Sequence, residues 1–225
     1  MRCSMSAVMF DIKVLYKVAI VLCCTAMVSW SVAAQSRDFK PVGDLKVFRD
    51  EFASKSAKLQ TITSDFRQEK KLLALTETMT STGKFWFKRS DMVRIEYEKP
   101  FFYRMIMNGD KVVVKDDERQ SSVNVRSSKL FQQVNRIILD CIQGSILSNK
   151  DFNTSVFENE KFFKLQMIPV QKSMKEFFST INLIVLKNDY SVESIEMLEP
   201  SGDATLMLFS NKVINRSVDD QVFAN

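Results

Sequence analysis

Histidine does not occur in this chain of 225 residues. Its absence removes the commonest general base, the commonest metal ligand and every nucleophile pair of the serine–histidine or cysteine–histidine kind. Glycine is scarce, with 5 residues, and no GxGxxG or GxxxxGK(S/T) run occurs, so neither a dinucleotide fingerprint nor a phosphate-cradling loop is present. Of 4 cysteines, Cys3, Cys23 and Cys24 fall within the first 34 residues and Cys141 stands alone. Beyond that segment no intrachain disulfide can form, and packing must hold the fold. The apolar run Val18 to Val28 is too short to span a bilayer comfortably. Charge of one sign is also lacking. Outside the first 34 residues there are 29 basic and 26 acidic side chains, a net charge of +3. That is too mild to imply nucleic acid or a strong membrane footprint.

The first 34 residues read as an address rather than as structure. Arg2, Lys13 and Lys17 form a basic region, the apolar run follows, and Val32-Ala33-Ala34 before Gln35 offers small residues for cleavage. A lipidated cysteine needs a small residue just before it, but Leu22 precedes Cys23 and Cys23 precedes Cys24. The expectation is a signal peptide over 1–34 and a soluble exported domain over 35–225.

What is present is organised around Gly83 to Val114. Phe85, Phe87 and Arg89 alternate with Lys84, Trp86 and Lys88, and Val93, Ile95 and Tyr97 alternate with Arg94, Glu96 and Glu98. Strand side chains point to opposite faces in turn, so this is a sheet with one apolar face and one mostly charged face. Pro100 closes the second strand, and Asn108-Gly109 is a hairpin turn between Tyr103–Met107 and Lys111–Lys115.

Around this centre, Asp44 can cap a helix over Leu45–Leu59, followed by a strand over Ile62–Gln68. Leu72–Thr82 reads as a strand end and turn, and Asp116–Ser128 as a mobile polar loop. A second helix is predicted over Lys129–Leu147, capped by Ser127 or Ser128 and weakened at Gly144. Strands follow at Val156–Phe157, Phe162–Ile168, Phe177–Leu186, Val192–Leu198 and Ala204–Val213. About nine strands and two helices predict a mainly β (α+β) fold, an open, incomplete antiparallel β-barrel with helices covering its concave face.

Each chemical candidate has a plainer reading beside it. Seventeen of the 18 phenylalanines and eight of the 12 methionines lie beyond residue 34. They build either an ordinary core or an apolar cavity between sheet and helices. Glu96 and Glu98 share a face and are suited in principle to acid–base work, but with Lys84 and Lys88 nearby a solvated outer surface explains them better. Cys141 reads as a packed thiol. No catalytic or metal-ligating set emerges, and no cofactor is expected. Arg89 is open: it either snorkels to water at the strand end or turns into the cavity mouth and binds carbonyls of a covering element.

The run GKFWFKRSDMVRIEYEKP, with Asp65-Phe66-Arg67-Gln68 before it and Asn108-Gly109-Asp110 after it, resembles the periplasmic lipoprotein carriers of the LolA type. Pro200-Ser201-Gly202-Asp203-Ala204-Thr205, then Phe209 and Asn211, resemble that family's closing hairpin. The similarity covers nearly all of 44–223. It departs at Ser90, where proline is usual, and at the end, where the longer tail of some members is expected to be missing.

The resemblance implies a periplasmic carrier, a monomer that shields the acyl chains of outer-membrane lipoproteins. It implies an inner-membrane lipoprotein-releasing transporter as donor and an outer-membrane acceptor. Arg89 matches the arginine that holds the lid closed. The predicted lipid-binding residues are Phe85, Phe87, Val93, Ile95, Tyr97, Met105 and Met107 on the sheet, and the predicted lid residues are Phe131, Val134, Ile138 and Ile142. Two rivals are a periplasmic lipid-sensing or regulatory binding protein on the same fold and a hydrolase, against which the missing histidine weighs. N-terminal sequencing of the exported protein is expected to begin at Gln35; recovery only in membranes with 1–34 attached would contradict it.

Overall fold

The computed structural model describes residues 38–225 except 76, 90, 110, 117–119, 125–128 and 225, with side chains undescribed at 120–124 and 129–135. Twelve strands form one antiparallel sheet: β1 Lys40–Pro41, β2 Thr61–Lys71, β3 Thr78–Lys88, β4 Met92–Lys99, β5 Tyr103–Asn108, β6 Lys111–Asp116, β7 Gln120–Asn124, β8 Phe152–Glu158, β9 Phe162–Pro169, β10 Thr180–Leu186, β11 Val192–Leu198 and β12 Ala204–Ile214. The order is β1-β8-β9-β10-β11-β12-β2-β3-β4-β5-β6-β7. β1 and β7 are the two ends and do not pair, so the sheet stays open. The late strand β12 pairs with β2, joining the two halves of the chain.

Two helices lie on one face, here the inner face: α1 Leu45–Ala57 and α2 Lys129–Gln143. A one-turn helix, α3 Lys172–Lys175, precedes β10. Asp44 caps α1 by accepting from the N–H groups of Lys46 at 2.9 Å and Val47 at 3.0 Å. The apolar stripe of α1 presents Phe48 and Phe52, both buried, to Leu165, Leu183 and Val185. Phe48 stacks on Phe52 at 5.5 Å and meets Phe163 at 4.5 Å between ring centroids. α2 sets Ile142 against Phe85, Phe87 and Val93. No helix among the described residues is long and apolar enough to cross a membrane.

Glycine decides two close approaches. Gly83 lies between Phe66 and Tyr97 in the ladder, and with no Cβ in the way their rings meet edge to face at 4.9 Å. Gly144 ends α2 at φ +74°, and a Cβ there would sit 2.9 Å from the Ser56 Cβ and 3.0 Å from the Ala53 Cα. The ends of α1 and α2 therefore touch through a glycine.

Several expectations need correction. Within the predicted mobile loop, residues 117–119 and 125–128 lie outside the described set, as do the expected caps Ser127 and Ser128, but Gln120–Asn124 form β7, pairing Val112 with Val123. An edge strand needs backbone partners, not an apolar period, so the pattern gave no warning. β3 starts at Thr78, because β-branched threonines extend a strand readily. α2 stops at Gln143 rather than Leu147, α1 at Ala57 rather than Leu59, and β10 starts at Thr180 rather than Phe177.

The outer face of β3–β5 is not simply solvated. The C-terminal segment packs there, with Val218 and Phe223 against Ile106, Trp86 and Met92. Lys88 donates to the Val218 carbonyl at 2.9 Å and pairs with Asp220; Arg94 donates to the Val222 carbonyl at 2.9 Å, pairs with Glu96 and lies 5.0 Å over the Trp86 ring. Only Lys84 and Glu98, 3.0 Å apart, keep the exposed pairing that was expected.

Gly144→Ala is expected to lower the unfolding free energy by about 1–3 kcal/mol, since it adds both backbone strain and a clash with α1. Gly109→Ala, at φ +56° with nothing within 4 Å, carries strain alone and should cost less. Urea unfolding of the two variants compares them directly.

Candidate functional site

The inner face is built from matched registers. Phe85 pairs with Ile95, and Ile95 with Met105; Phe87 pairs with Val93, and Val93 with Met107. On the other flank Leu183 pairs with Ile195, and Ile195 with Met207. β12 carries a bulge between Ser210 and Val213, with Asn211 at φ +52°. The extra residue returns Ile214 to the inner face opposite Ile62.

Between this face and the helices lies an apolar cavity of about 120 Å³. Ile62, Phe85, Ile95, Met207 and Phe209 wall it on the sheet side, Leu59 lines it just past the end of α1, and Ile138, Cys141 and Ile142 of α2 roof it. Polar groups gather at one margin, among them Asp189, Ser191 and Lys212. The Lys212 ammonium donates to the Ser191 hydroxyl at 2.9 Å, the Val192 carbonyl at 3.1 Å and the Glu193 carboxylate at 3.2 Å. All three of its donors are engaged and a carboxylate faces it, so this serine–lysine pair is a clamp and not a base with its nucleophile.

The turn after β3 grips both helices. The Arg89 Nε donates to the Leu59 carbonyl at 2.8 Å, and its Nη2 donates to the Ser56 and Ala57 carbonyls, each at 3.1 Å. These carbonyls belong to the last turn of α1 and the residues just after it, where the helix dipole also favours a cation. The Arg89 N–H reaches the Gln60 carbonyl at 2.7 Å. Two residues on, Asp91 accepts from the Gln143 Nε2 at the end of α2, at 3.1 Å.

At the opposite wall Tyr190 stands at φ +60°, a conformation costly for an aromatic residue. Its ring lies 5.6 Å from Phe163 and 6.2 Å from both Phe48 and Phe52, and its hydroxyl donates to Glu51 of α1. The strain is offset by the aromatic cluster that ties α1 to β9 and β10. Burial, then the bond to Glu51, push its pKa up from 10.0 to about 12.

The family model described as outer membrane lipoprotein carrier protein LolA matches residues 57–225. The chain belongs to the LolA family. Among curated proteins none matches it. A LolA superfamily protein from Nitrosomonas europaea is a distant structural neighbour, 12% identical over 79% of this chain and 97% of that one, at a TM-score of 0.42. Lipoprotein LppX of Mycobacterium tuberculosis is 13% identical over 77% and 95%, at 0.40. The MucA/MucB complex of Pseudomonas aeruginosa gives 12% identity over 78% and 59%, at 0.36. The family assignment rests on the match over 57–225 and not on these neighbours.

In this LolA-family chain the predicted sheet residues divide. Phe85 and Ile95 line the cavity. Phe87, Val93, Met105 and Met107 are buried in the packed cluster beneath, and Tyr97 packs against that cluster with its hydroxyl donating to the Gln68 Oε1 at 2.8 Å. Of the predicted lid residues, Ile138 and Ile142 roof the cavity; Phe131 and Val134 lie outside the residues whose side chains are described. Arg89 is beside the cavity rather than in its wall, and the element it holds is α1, not α2.

Leu59, Ile62, Ile195, Met207, Phe209 and Ile214 were missed as lining. The alternation of Ile62, Ser64 and Phe66 pointed to the first strand's inner face. Leu206-Met207-Leu208-Phe209 is apolar throughout and carries no parity, and Leu208 in fact faces outward, exposed.

Burial, with the Asp140 carboxylate adding to it, pushes the Cys141 thiol from 9.0 up to about 12. Burial, then Tyr103, raises Tyr97 from 10.0 to about 12. Both groups hold their protons more tightly folded than unfolded. Their contribution to stability is complete below pH 9.0 and is lost as pH climbs towards about 12. The urea midpoint should therefore be level from neutrality to pH 9.0 and fall above it, less steeply in Cys141→Ala.

Proposed function

We propose that this LolA-family protein carries the acyl chains of outer-membrane lipoproteins across the periplasm, in the cavity between its sheet and its helices. The observation that supports this best is an apolar cavity roofed by helices whose ends are fastened by hydrogen bonds to a single turn. Each methylene is worth about 0.8 kcal/mol when buried, so a long acyl chain does not leave a membrane for water unaided. Aliphatic and aromatic walls offer contact without direction, which permits release as well as uptake.

The closed cavity, at about 120 Å³, is too small for such a chain, since ligand pockets run roughly 300–1,000 Å³. Loading therefore requires the helices to lift, and the bonds that must break are those of Arg89 and Asp91. A hydrogen bond to a charged group contributes about 1.5–3 kcal/mol when shielded, and less where it is half exposed as here. Even discounted, three such bonds shift an open–closed balance tenfold or more. In this reading the protein acts as a monomer without cofactor or catalysis, taking cargo from an inner-membrane lipoprotein-releasing transporter and passing it to an outer-membrane acceptor.

Mass spectrometry of material retained by the tagged protein from periplasm should find acylated lipoprotein. Arg89→Leu is expected to load but not to hand cargo on, with Arg89→Lys intermediate because lysine lacks the planar fork. Cys141 gives a second readout, since its thiol should react faster with a soluble thiol reagent in Arg89→Leu than in the native protein. Transfer at the native rate by Arg89→Leu would show that the arginine is not a gate. Lipid held but never passed on by the native protein would favour a sensor on the same fold.

A further inference from the structure

One end of the sheet is edged with exposed apolar side chains. The pairs Thr180–Leu198, Leu198–Ala204, Ala204–Lys71 and Lys71–Thr78 set the β9–β10, β11–β12 and β2–β3 connections at that end. The pair Thr82–Lys99 brings the β4–β5 turn to the same end. The β2–β3 and β11–β12 turns touch: the Leu73 N–H donates to the Asp203 Oδ1 at 2.8 Å, and the Leu73 Cδ2 lies against Gly202. On these connections Leu73 is 72% exposed and Phe101 76%, with Leu75, Met79, Val170 and Phe177 also exposed. The cavity margin at Asp189–Val192 and the Arg89 turn are at the other end of the strands, so this rim has no part in roofing the cavity.

Charge accompanies each apolar tip. Lys70-Lys71 runs directly into Leu72-Leu73-Ala74-Leu75, Lys99-Pro100 into Phe101, and Lys172 to Lys175 lead to Phe177. Lys71, Lys99, Lys172 and Lys175 are exposed and make no ion pair among the described residues. Of the described carboxylates on or beside the β2–β3, β4–β5 and β11–β12 connections, Glu98 pairs with Lys84 at 3.0 Å, Glu199 with Lys70 at 3.8 Å, and Asp203 accepts from the Leu73 N–H. On the β2–β3, β4–β5 and β9–β10 connections the exposed described carboxylates are Glu77 and Glu176, two against these four lysines.

We infer that this rim docks the protein on an anionic phospholipid surface. Protruding apolar tips set on separate turns suit shallow insertion among headgroups, and flanking lysines with flexible stems complement lipid phosphate. A protein partner would call for one continuous patch, not a row of points each escorted by a cation.

The test is co-flotation with vesicles of phosphatidylethanolamine and phosphatidylglycerol, against phosphatidylcholine alone. The native protein should float with the anionic vesicles, less so as salt rises. Leu73→Asp with Phe101→Asp should abolish flotation, while Lys71→Gln and Lys175→Gln should each lower it about fivefold on anionic vesicles only. These positions are exposed, so thermal unfolding and binding of a hydrophobic probe in the cavity should stay native. Those two measurements keep a failure of the rim separate from a failure of the carrier reading. Native protein that stays in the supernatant, or rim variants that float as the native protein does, would overturn the inference. So would concentration-dependent self-association abolished by Leu73→Asp, which would assign the rim to a second copy of the chain.

Discussion

The Arg89 guanidinium on the carbonyls of Ser56, Ala57 and Leu59 is the contact through which sheet and helices answer to one another. An open antiparallel sheet has one apolar face that must be covered, and here α1 and α2 cover it. Apolar contact alone would let the helices slide, because it has no preferred direction. The planar fork of the arginine removes that freedom by fixing where α1 ends. Ser56 passes the constraint on, since its side chain lies against Gly144 at the end of α2 while its carbonyl is held by Arg89. Asp91 on Gln143 closes the circuit. Arg89 and Asp91, two residues apart in the chain, thus set both helices.

The two walls of the site are held by different physics. Towards β9 and β10, α1 is fixed by Phe48, Phe52, Phe163 and Tyr190, whose rings interlock over a large buried area. Towards β3 and β4 the fastening is a few polar bonds. Aromatic packing of that size yields gradually and at high cost, whereas a hydrogen bond beyond its reach is simply absent. In the proposed carrier, α1 would turn about its aromatic end when the polar end lets go. The cavity reaches from Ser56 and Leu59, beside the polar bonds, across to Tyr190 and Val192. The fold therefore sets its few polar bonds along one margin of that cavity and its aromatic packing along the other.

Much of this was legible in the sequence, and what was not has identifiable causes. The faces of β3 and β4 followed from strict alternation, and the Asn108-Gly109 turn and the Asp44 cap from local chemistry. The misplaced cation at Arg89 could be seen as an exception, though not which helix it holds, because contacts between residues 30 or more apart leave no periodic trace. Met207 and Phe209 were hidden by a strand apolar on both faces, and Ile214 by a bulge that shifts parity. Burial of Phe87, Val93 and Met107 rather than exposure to the cavity depends on how closely the helices descend. The outer face was read as solvated because Trp86 and Ile106 are outnumbered there by charges; those charges instead bind the carbonyls of the returning C-terminal segment.

The absence of histidine has a consequence for how the latch can be released. A proton switch near neutrality needs a group that titrates there, and histidine is the side chain whose ordinary pKa provides it. Among the described residues the resolved shifts move away from neutrality: Cys141, Tyr97 and Tyr190 are pushed up to about 12, Tyr103 and Lys84 are raised, and Glu158 is lowered by its bonds from Lys187 and the Gly43 N–H. The partners of Arg89 are backbone carbonyls, which do not titrate at all. Only something that competes for the space beneath the helices, or for the carbonyls themselves, can loosen the hold of Arg89 on α1. In the proposed carrier, the arginine's part of the closure would respond to what enters the cavity and to what touches these carbonyls.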